Sequence, residues 1–302
     1  MEGDIYKRLL ERLRGMRAVA VGFSGGADCT LLLAVAKQAL GERVLALTAV
    51  TPFMERQEVA DALTLTGQLG VRHELVELDM PDEMVPNPPE RCYICKRALC
   101  ARLLEVARKA GFEQVLDGSN LDDLTDFRPG LRALRELQIH SPLLECRISK
   151  ADIRRLSKSL GLPTWNKPTN ACLLTRLPIG QRVSMKELRR VEEAERFLRR
   201  LGYVWVRVHM HGDLARIQLV PEQRQRLLEE AETIVKTLQG LGFCRITMDL
   251  TGHRLGRTDP AGSGSDRAGA NDPAQQARSR PSDTAPEDGS RRSKPGIVAA
   301  SS

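Results

Sequence analysis

Apolar residues in this chain come in short unbroken runs separated by stretches of helical periodicity, the pattern of strands covered on both faces alternating with helices. Residues 17–23, 43–50, 72–78 and 114–116 read as strands, and 28–40, 55–69, 91–110 and 131–137 as helices. A strand around 139–144 and a helix over 150–160 follow. After the turn residues crowded into 161–170 the pattern restarts: helix 184–201, strands 203–208 and 214–219, helix 221–239 and strand 243–250. Repeated strand–helix units predict an α/β fold, a doubly wound and mainly parallel sheet, joined to a smaller C-terminal α/β domain. The expected boundaries are 1–180, 181–256 and a tail, 257–302. The tail lacks any aromatic residue and is rich in Ser, Pro, Gly, Asp and Arg, so it cannot bury enough apolar surface to offset the entropy of ordering and is expected to be disordered.

Composition narrows the class. At 41% hydrophobic and 28% charged residues the 302-residue chain is globular, and no run approaches the ~18 apolar residues of a membrane span. The first residues lack the basic-then-apolar layout of an export signal, so the expected compartment is the cytoplasm. Seven cysteines, an odd number in a long chain, argue against a disulfide framework and for thiols kept reduced. A net charge of +7 invites a nucleic-acid partner. The arginines, however, are spread along amphipathic helices without interleaved aromatics, which fits solvated faces and sites for small phosphorylated ligands.

The first strand runs into Phe23-Ser24-Gly25-Gly26-Ala27-Asp28-Cys29-Thr30 and then a helix. Exposed backbone N–H groups at such a turn, backed by a helix N-terminus, make a cradle for an anion. The spacing is neither a Walker A loop nor a dinucleotide fingerprint. Ser-Gly-Gly-x-Asp after a strand instead resembles the pyrophosphate loop of the N-type ATP pyrophosphatases, which split ATP into AMP and pyrophosphate; that resemblance makes Asp28 a ligand for Mg²⁺. Cys29 stands where this superfamily has Ser, removing one hydroxyl, and Thr30 is the candidate replacement. A second polar turn, Gly118-Ser119-Asn120-Leu121-Asp122-Asp123, follows the fourth strand. In an open parallel sheet it faces the same crevice, or it is an Asx turn with capping acids.

Arg91-Cys92-Tyr93-Ile94-Cys95-Lys96 is a Cys-x-x-Cys opening a helix. By residue type it suits zinc with two further ligands, a redox dithiol, or part of an iron–sulfur site. Cys172 lies in the loop between the two halves beside Thr175 and Arg176, and an adjacent Arg favours the thiolate. Cys100, Cys146 and Cys244 fall on apolar positions and read as core. In the second half, Arg207 and His209 on one strand and Arg216 and Gln218 on the next alternate off one sheet face.

Asp126-Phe-Arg-Pro-Gly130, Ser141-Pro-Leu-Leu-Glu145, Trp165-Asn-Lys-Pro168, Ala171-Cys-Leu-Leu-Thr-Arg176 and Pro178-Ile-Gly180 occur in the order found in one branch of the pyrophosphate-loop superfamily. Over residues 5–256 the chain resembles the LarE family of ATP-dependent sulfur transferases, which act in assembly of the nickel-pincer nucleotide of lactate racemase. The resemblance implies a pyridinium dicarboxylic acid mononucleotide as substrate, adenylylated on a carboxylate and then attacked by sulfur. Nucleotide would be held by Phe23, Ser24, Gly25, Gly26, Asp28, Cys29, Thr30, Gly118, Asn120 and Asp122. Lys96, Arg176, Arg207 and His209 would hold the phosphate or carboxylates. Cys172 matches the family's sulfur-carrying cysteine and, with Cys92 and Cys95, gives the three thiolates of the cluster-dependent members, whose [4Fe–4S] group has one iron free of protein ligands. Consumption of the sulfur of Cys172 itself is the other route. A homo-oligomer is expected, with pathway proteins as partners and neither nucleic acid nor membrane. Gln218 departs from the acid expected in relatives, so no metal role is carried to it. The alternatives are a tRNA 2-thiolation enzyme, against which no appended RNA-binding module is visible, and a nucleotide-binding regulator without chemistry.

Overall fold

A computed structural model describes residues 2–125, 128–168 and 170–252. The expected tail, and Asp126-Phe127 of one resemblance motif, lie outside them. Four strands form a parallel sheet in the order β3-β2-β1-β4: β1 (Val19–Gly22), β2 (Val44–Val50), β3 (Arg72–Glu77) and β4 (Gln114–Leu116). Val19 faces Val44 on one side and Gln114 on the other, which sets the register. Residues 19–21 and 44–49 are buried without alternation because helices cover both faces.

Helices α2 (Ala27–Leu40) and α3 (Arg56–Gln68) connect β1, β2 and β3 and contribute to the core on one face. The helix α4 (Arg91–Lys109) crosses to the other face, where Cys100, Leu103, Leu104 and Ala107 pack on Leu45 and Leu47. The chain thus reverses its direction of travel between β1 and β4, and their adjoining loops form the crevice where such sheets bind ligands. An amino-terminal helix not anticipated above, α1 (Glu2–Arg14), buries Leu9, Leu10 and Leu13 against this core.

Three elements differ from expectation. Residues 139–144 form no strand: His140 makes one parallel bridge to Leu116, and Pro142 then opens the short α6 (Pro142–Glu145) behind α5 (Gly130–Glu136). Pro has no N–H for a ladder and its ring suits a helix start. The strand expected over 203–208 begins later, as β5 (Arg207–His211), because Trp205 takes φ +60 and interrupts the extended backbone. The helix expected over 221–239 breaks into a 3₁₀ turn, α9 (Arg224–Glu229) and α10 (Ala231–Gly240).

Helix α7 (Lys150–Ser159) begins with a capping box from Ser149 and Asp152 and packs on α2. In the second sheet, β5 pairs antiparallel with β6 (Leu214–Gln218), which pairs parallel with β7 (Arg245–Met248). The helix α8 (Met185–Arg200) buries Leu188, Val191, Ala194 and Leu198 against this sheet. Leu173, Leu174 and Leu177 join that core, together with Phe53 and Met84 from the first half.

Candidate active site

The turn after β1 is built as an anion cradle. Phe23 is buried and donates its N–H to the Leu47 carbonyl at 2.8 Å, anchoring the strand end, while Ser24 is exposed. Gly25 has φ +69, and a Cβ there would stand 3.4 to 3.5 Å from Leu65 and Ala62 of α3. The first turn of α2 leaves N–H groups without intrahelical partners. Cys29 turns its sulfur back toward Ser24, 3.3 Å from the hydroxyl, and also meets the Gly26 carbonyl at 3.3 Å. Thr30 does not replace the missing hydroxyl: it is buried and donates to the Gly26 carbonyl at 2.7 Å.

The turn after β4 touches this loop. A Cβ on Gly118 would lie 3.2 Å from the Cys29 nitrogen, so glycine permits the close approach. Asn120 caps a 3₁₀ turn, accepting from the Asp122 N–H at 3.0 Å and closing a capping box with Asp123. Its side-chain oxygen is therefore spent on structure. Lys150, which sequence reasoning missed, donates from Nζ to Asp28 at 2.6 Å while its backbone N–H meets the Asp122 carboxylate. One lysine at a helix start thus gathers both carboxylates.

Across the crevice, α4 enters with its N-terminus at the same sheet edge. Lys96 donates to Asp117, at the end of β4, at 2.6 Å. Burial alone would lower the lysine's pKa, but the Asp117 carboxylate raises it above the ordinary range. Cys92 is exposed and Cys95 half-buried, one turn apart on this helix. Cys95 and Cys172 pack against the same apolar core. The Cys95 thiol is pushed up to about 12 by burial, then by Cys172 and Cys92. The Cys172 thiol is also pushed up, by burial and then by Cys92; Arg176 and Arg91 oppose this without reversing it. Arg176 does favour the Cys172 thiolate, but burial and Cys92 outweigh it.

Arg176 is placed differently from expectation. Its side chain is 0% exposed, with Nε donating to Glu195 at 2.8 Å and Nη2 at 3.1 Å. Nη1 donates to the Ala171 carbonyl and Thr175 hydroxyl, at 2.9 and 2.8 Å. This spends the fork on holding the Cys172 segment, leaving it no access to a substrate phosphate. Burial would raise the Glu195 pKa, yet Arg176 and then Arg199 hold it below the usual carboxylate range. Glu55 at the start of α3 binds Arg199 at 2.6 Å and Asn170 at 3.0 Å, Lys167 meets Asp61 at 2.8 Å, and the Leu173 N–H reaches the Phe53 carbonyl at 3.0 Å. The segment carrying Cys172 is thus pinned to α3, the helix against which Gly25 rests.

On the second sheet Arg207 and Gln218 stand opposite one another across β5 and β6 and are buried, whereas His209 and Arg216 on the same face are partly exposed. His209 lies 3.3 Å from Gln218, and its pKa is lowered to about 4 by burial and then Arg216, which makes it neutral at pH 7.

These elements form a circuit: the Ser24 loop meets Gly118, Asp117 meets Lys96 on α4, Cys95 of α4 shares an apolar core with Cys172, and the Cys172 segment is tied through Lys167 and Asn170 to α3, on which Gly25 rests. A family profile described as NAD synthase matches residues 5–107, which include the Ser24 loop. A pyridinium-3,5-bisthiocarboxylic acid mononucleotide synthase from Lactiplantibacillus plantarum is 36% identical over 82% of this chain and 91% of its own length. The chain belongs to that synthase family. Uncharacterised family relatives include a Synechocystis protein, 43% identical over 78% of this chain and 90% of its own length. Another, from Methanocaldococcus jannaschii, is 31% identical over 83% and 96%. As a member of this synthase family the protein is a pyrophosphate-loop enzyme. Among the described residues no helix is long and apolar enough to cross a membrane.

Glu195, Glu55, Asn170, Asp117, Lys150 and Arg91 are the residues of this region that the pattern did not single out. Only Lys150 carried a signal, the capping box around it, and that signal marks a helix start rather than a charge partner.

Proposed function

We propose that this enzyme is an ATP-dependent sulfur transferase acting on a pyridinium dicarboxylic acid mononucleotide, forming the thiocarboxylic precursor of the nickel-pincer nucleotide. The supporting observation is the circuit just described, which puts the pyrophosphate loop and the Cys172 segment on one helix, α3. A substrate carboxylate attacks the α-phosphorus of ATP, the bond to pyrophosphate breaks, and the acyl-adenylate then carries a good leaving group. Sulfur attacks the acyl carbon and AMP departs with the C–O bond. The Ser24 loop N–H groups hold the departing pyrophosphate, and Lys96 offsets its charge from the Asp117 side.

Asp28 and Asp122 suit Mg²⁺, a hard cation bound by few carboxylates plus phosphate oxygens, since one lysine already spans both. When bound, Mg²⁺ neutralises phosphate charge, and Lys150 is then free to turn toward the same anion. Among the described residues no three His, Cys, Asp or Glu side chains already stand as a ligand group. The donor set is nonetheless three free thiols, two of them bordering one apolar core, and thiolates suit a soft iron–sulfur group. Cys92, Cys95 and Cys172 would hold that group, which when bound would supply the transferable sulfur. The chain's part is to keep Cys172 in register with the acyl-adenylate through Arg176, Asn170 and Lys167.

Pyrophosphate release that requires both ATP and the dicarboxylate mononucleotide tests the reaction; release without acceptor, or none with it, refutes the reading. Iron and sulfide content after anaerobic purification, with intact mass after one turnover, tests the sulfur source. Loss of one H₂S equivalent from Cys172 would replace the cluster by consumption of the cysteine.

A further inference from the structure

Two arginines flanking the site cysteines in sequence, Arg91 beside Cys92 and Arg176 after Cys172, are buried, and among the described residues only Arg176 is in an ion pair. Arg176 gives its fork to Glu195 and donates further to Ala171 and Thr175, as described above. Arg91, the first residue of α4, is 3% exposed, yet its Nε and Nη1 are buried without any hydrogen-bond partner. No ion pair among the described residues includes it, and the first turn of α4 contains no acidic residue. The α4 N-terminus adds its own partial positive charge. An unpaired buried cation costs several kcal/mol, so a fold that keeps one needs an anion that arrives later. Arg91 directly precedes Cys92 at the start of α4, and Cys95 of the same helix shares an apolar core with Cys172, which puts the Arg91 charge on the thiol-bearing end of that helix.

We propose that the Arg91 guanidinium is a carboxylate subsite, taking a carboxylate of the acceptor through its planar fork and holding the neighbouring acyl group beside Cys172. A planar five-donor cation matches a carboxylate in two parallel hydrogen bonds, which a lysine cannot reproduce. Four residues earlier, Asn87 Oδ1 is also buried without a partner, while Nδ2 donates to the Pro178 carbonyl at 2.8 Å. The assignment rests on the sulfur-transferase reading and adds to it the residue that recognises the acid.

The test uses the full chain and pyridine-3,5-dicarboxylate as probe, with pyridine-3,5-dimethanol as the uncharged control. Isothermal titration is expected to show binding of the dicarboxylate by wild type and a loss on the order of 10- to 100-fold in Arg91→Met, with no Arg91-dependent binding of the control. The melting temperature of Arg91→Met should hold or rise, since an apolar side chain of similar volume replaces an uncompensated charge. Arg91→Lys, which keeps the charge without the fork, should lose several-fold in affinity and covers the case in which the Met variant does not fold. Equal affinity in wild type and variants, or no binding by wild type, overturns the subsite, as does a fall in melting temperature with affinity unchanged. Pyrophosphate release with the intact mononucleotide is read separately in wild type. Its absence refutes the sulfur-transferase reading, whereas normal release with Arg91-independent probe binding refutes only the subsite.

Discussion

The pyrophosphate loop and the Cys172 segment both rest on α3, but they are held in opposite ways. The loop is assembled within a few residues: a strand end, a left-handed Gly25, and a helix start whose cysteine and threonine bond back to Ser24 and Gly26. The Cys172 segment has little local structure, a 3₁₀ turn over Leu173–Arg176, and borrows its shape from Glu55 and Glu195, distant in the chain. Backbone donors that must meet an anion can be presented by short-range geometry. A thiol that must be aimed at a substrate needs side chains from several elements, and Arg176 is spent on that positioning.

The contrast breaks most directly at the clamp. Arg176→Ala removes the buried partner of Glu195, leaving it only the partly exposed Arg199, and should cost about 3 kcal/mol in urea unfolding; a loss near zero would mean the segment is held by its own turn. Cys172→Ala should instead abolish thioacid product while shifting stability by about 1 kcal/mol or less. Full product formation without that thiol would remove the segment from the chemistry.

On the loop side, Gly25→Ala forces a β-carbon onto a φ of +69 against α3 and should cost about 1 to 2 kcal/mol, with a raised KM for ATP. Unchanged ATP kinetics would show that the cradle tolerates a different turn. His209 sharpens the comparison through pH. Its folded-state pKa, about 4, lies below the ordinary 6.5, so the folded protein binds fewer protons and loses stability as pH falls through that window. Wild type should therefore be destabilised relative to His209→Gln between pH 6.5 and 4 in thermal melts, and parallel curves would contradict it. The smallest effect is expected from Cys29→Ser, which restores a hydroxyl beside Ser24 and should tighten pyrophosphate binding a few-fold by titration calorimetry.

Much of the nucleotide half was legible in the chain because unbroken apolar runs and a glycine turn constrain the backbone locally. The strand expected at 139–144 failed because an apolar run beside Pro142 suits a short helix as well as a strand. Arg176 was misread for another reason: adjacency to Cys172 in sequence suggested a charge effect, whereas its guanidinium turned to Glu195 on α8. No spacing rule links those two positions to Glu55.

From its amino acids alone, this protein declares parallel strands with crossover helices, a pyrophosphate-binding turn, and three cysteines worth watching. The strands and the glycine turn follow from side-chain periodicity and φ/ψ restrictions, which act over a few residues, whereas the pyrophosphate-loop and three-cysteine readings follow from the family resemblance. Which cations are satisfied and which are left waiting, Arg176 on Glu195, Lys150 on Asp28, Arg91 with Nε and Nη1 unpartnered among the described residues, was decided only when distant segments packed. A buried charge takes its partner from whatever the fold brings within about 4 Å, and that neighbourhood belongs to the tertiary structure.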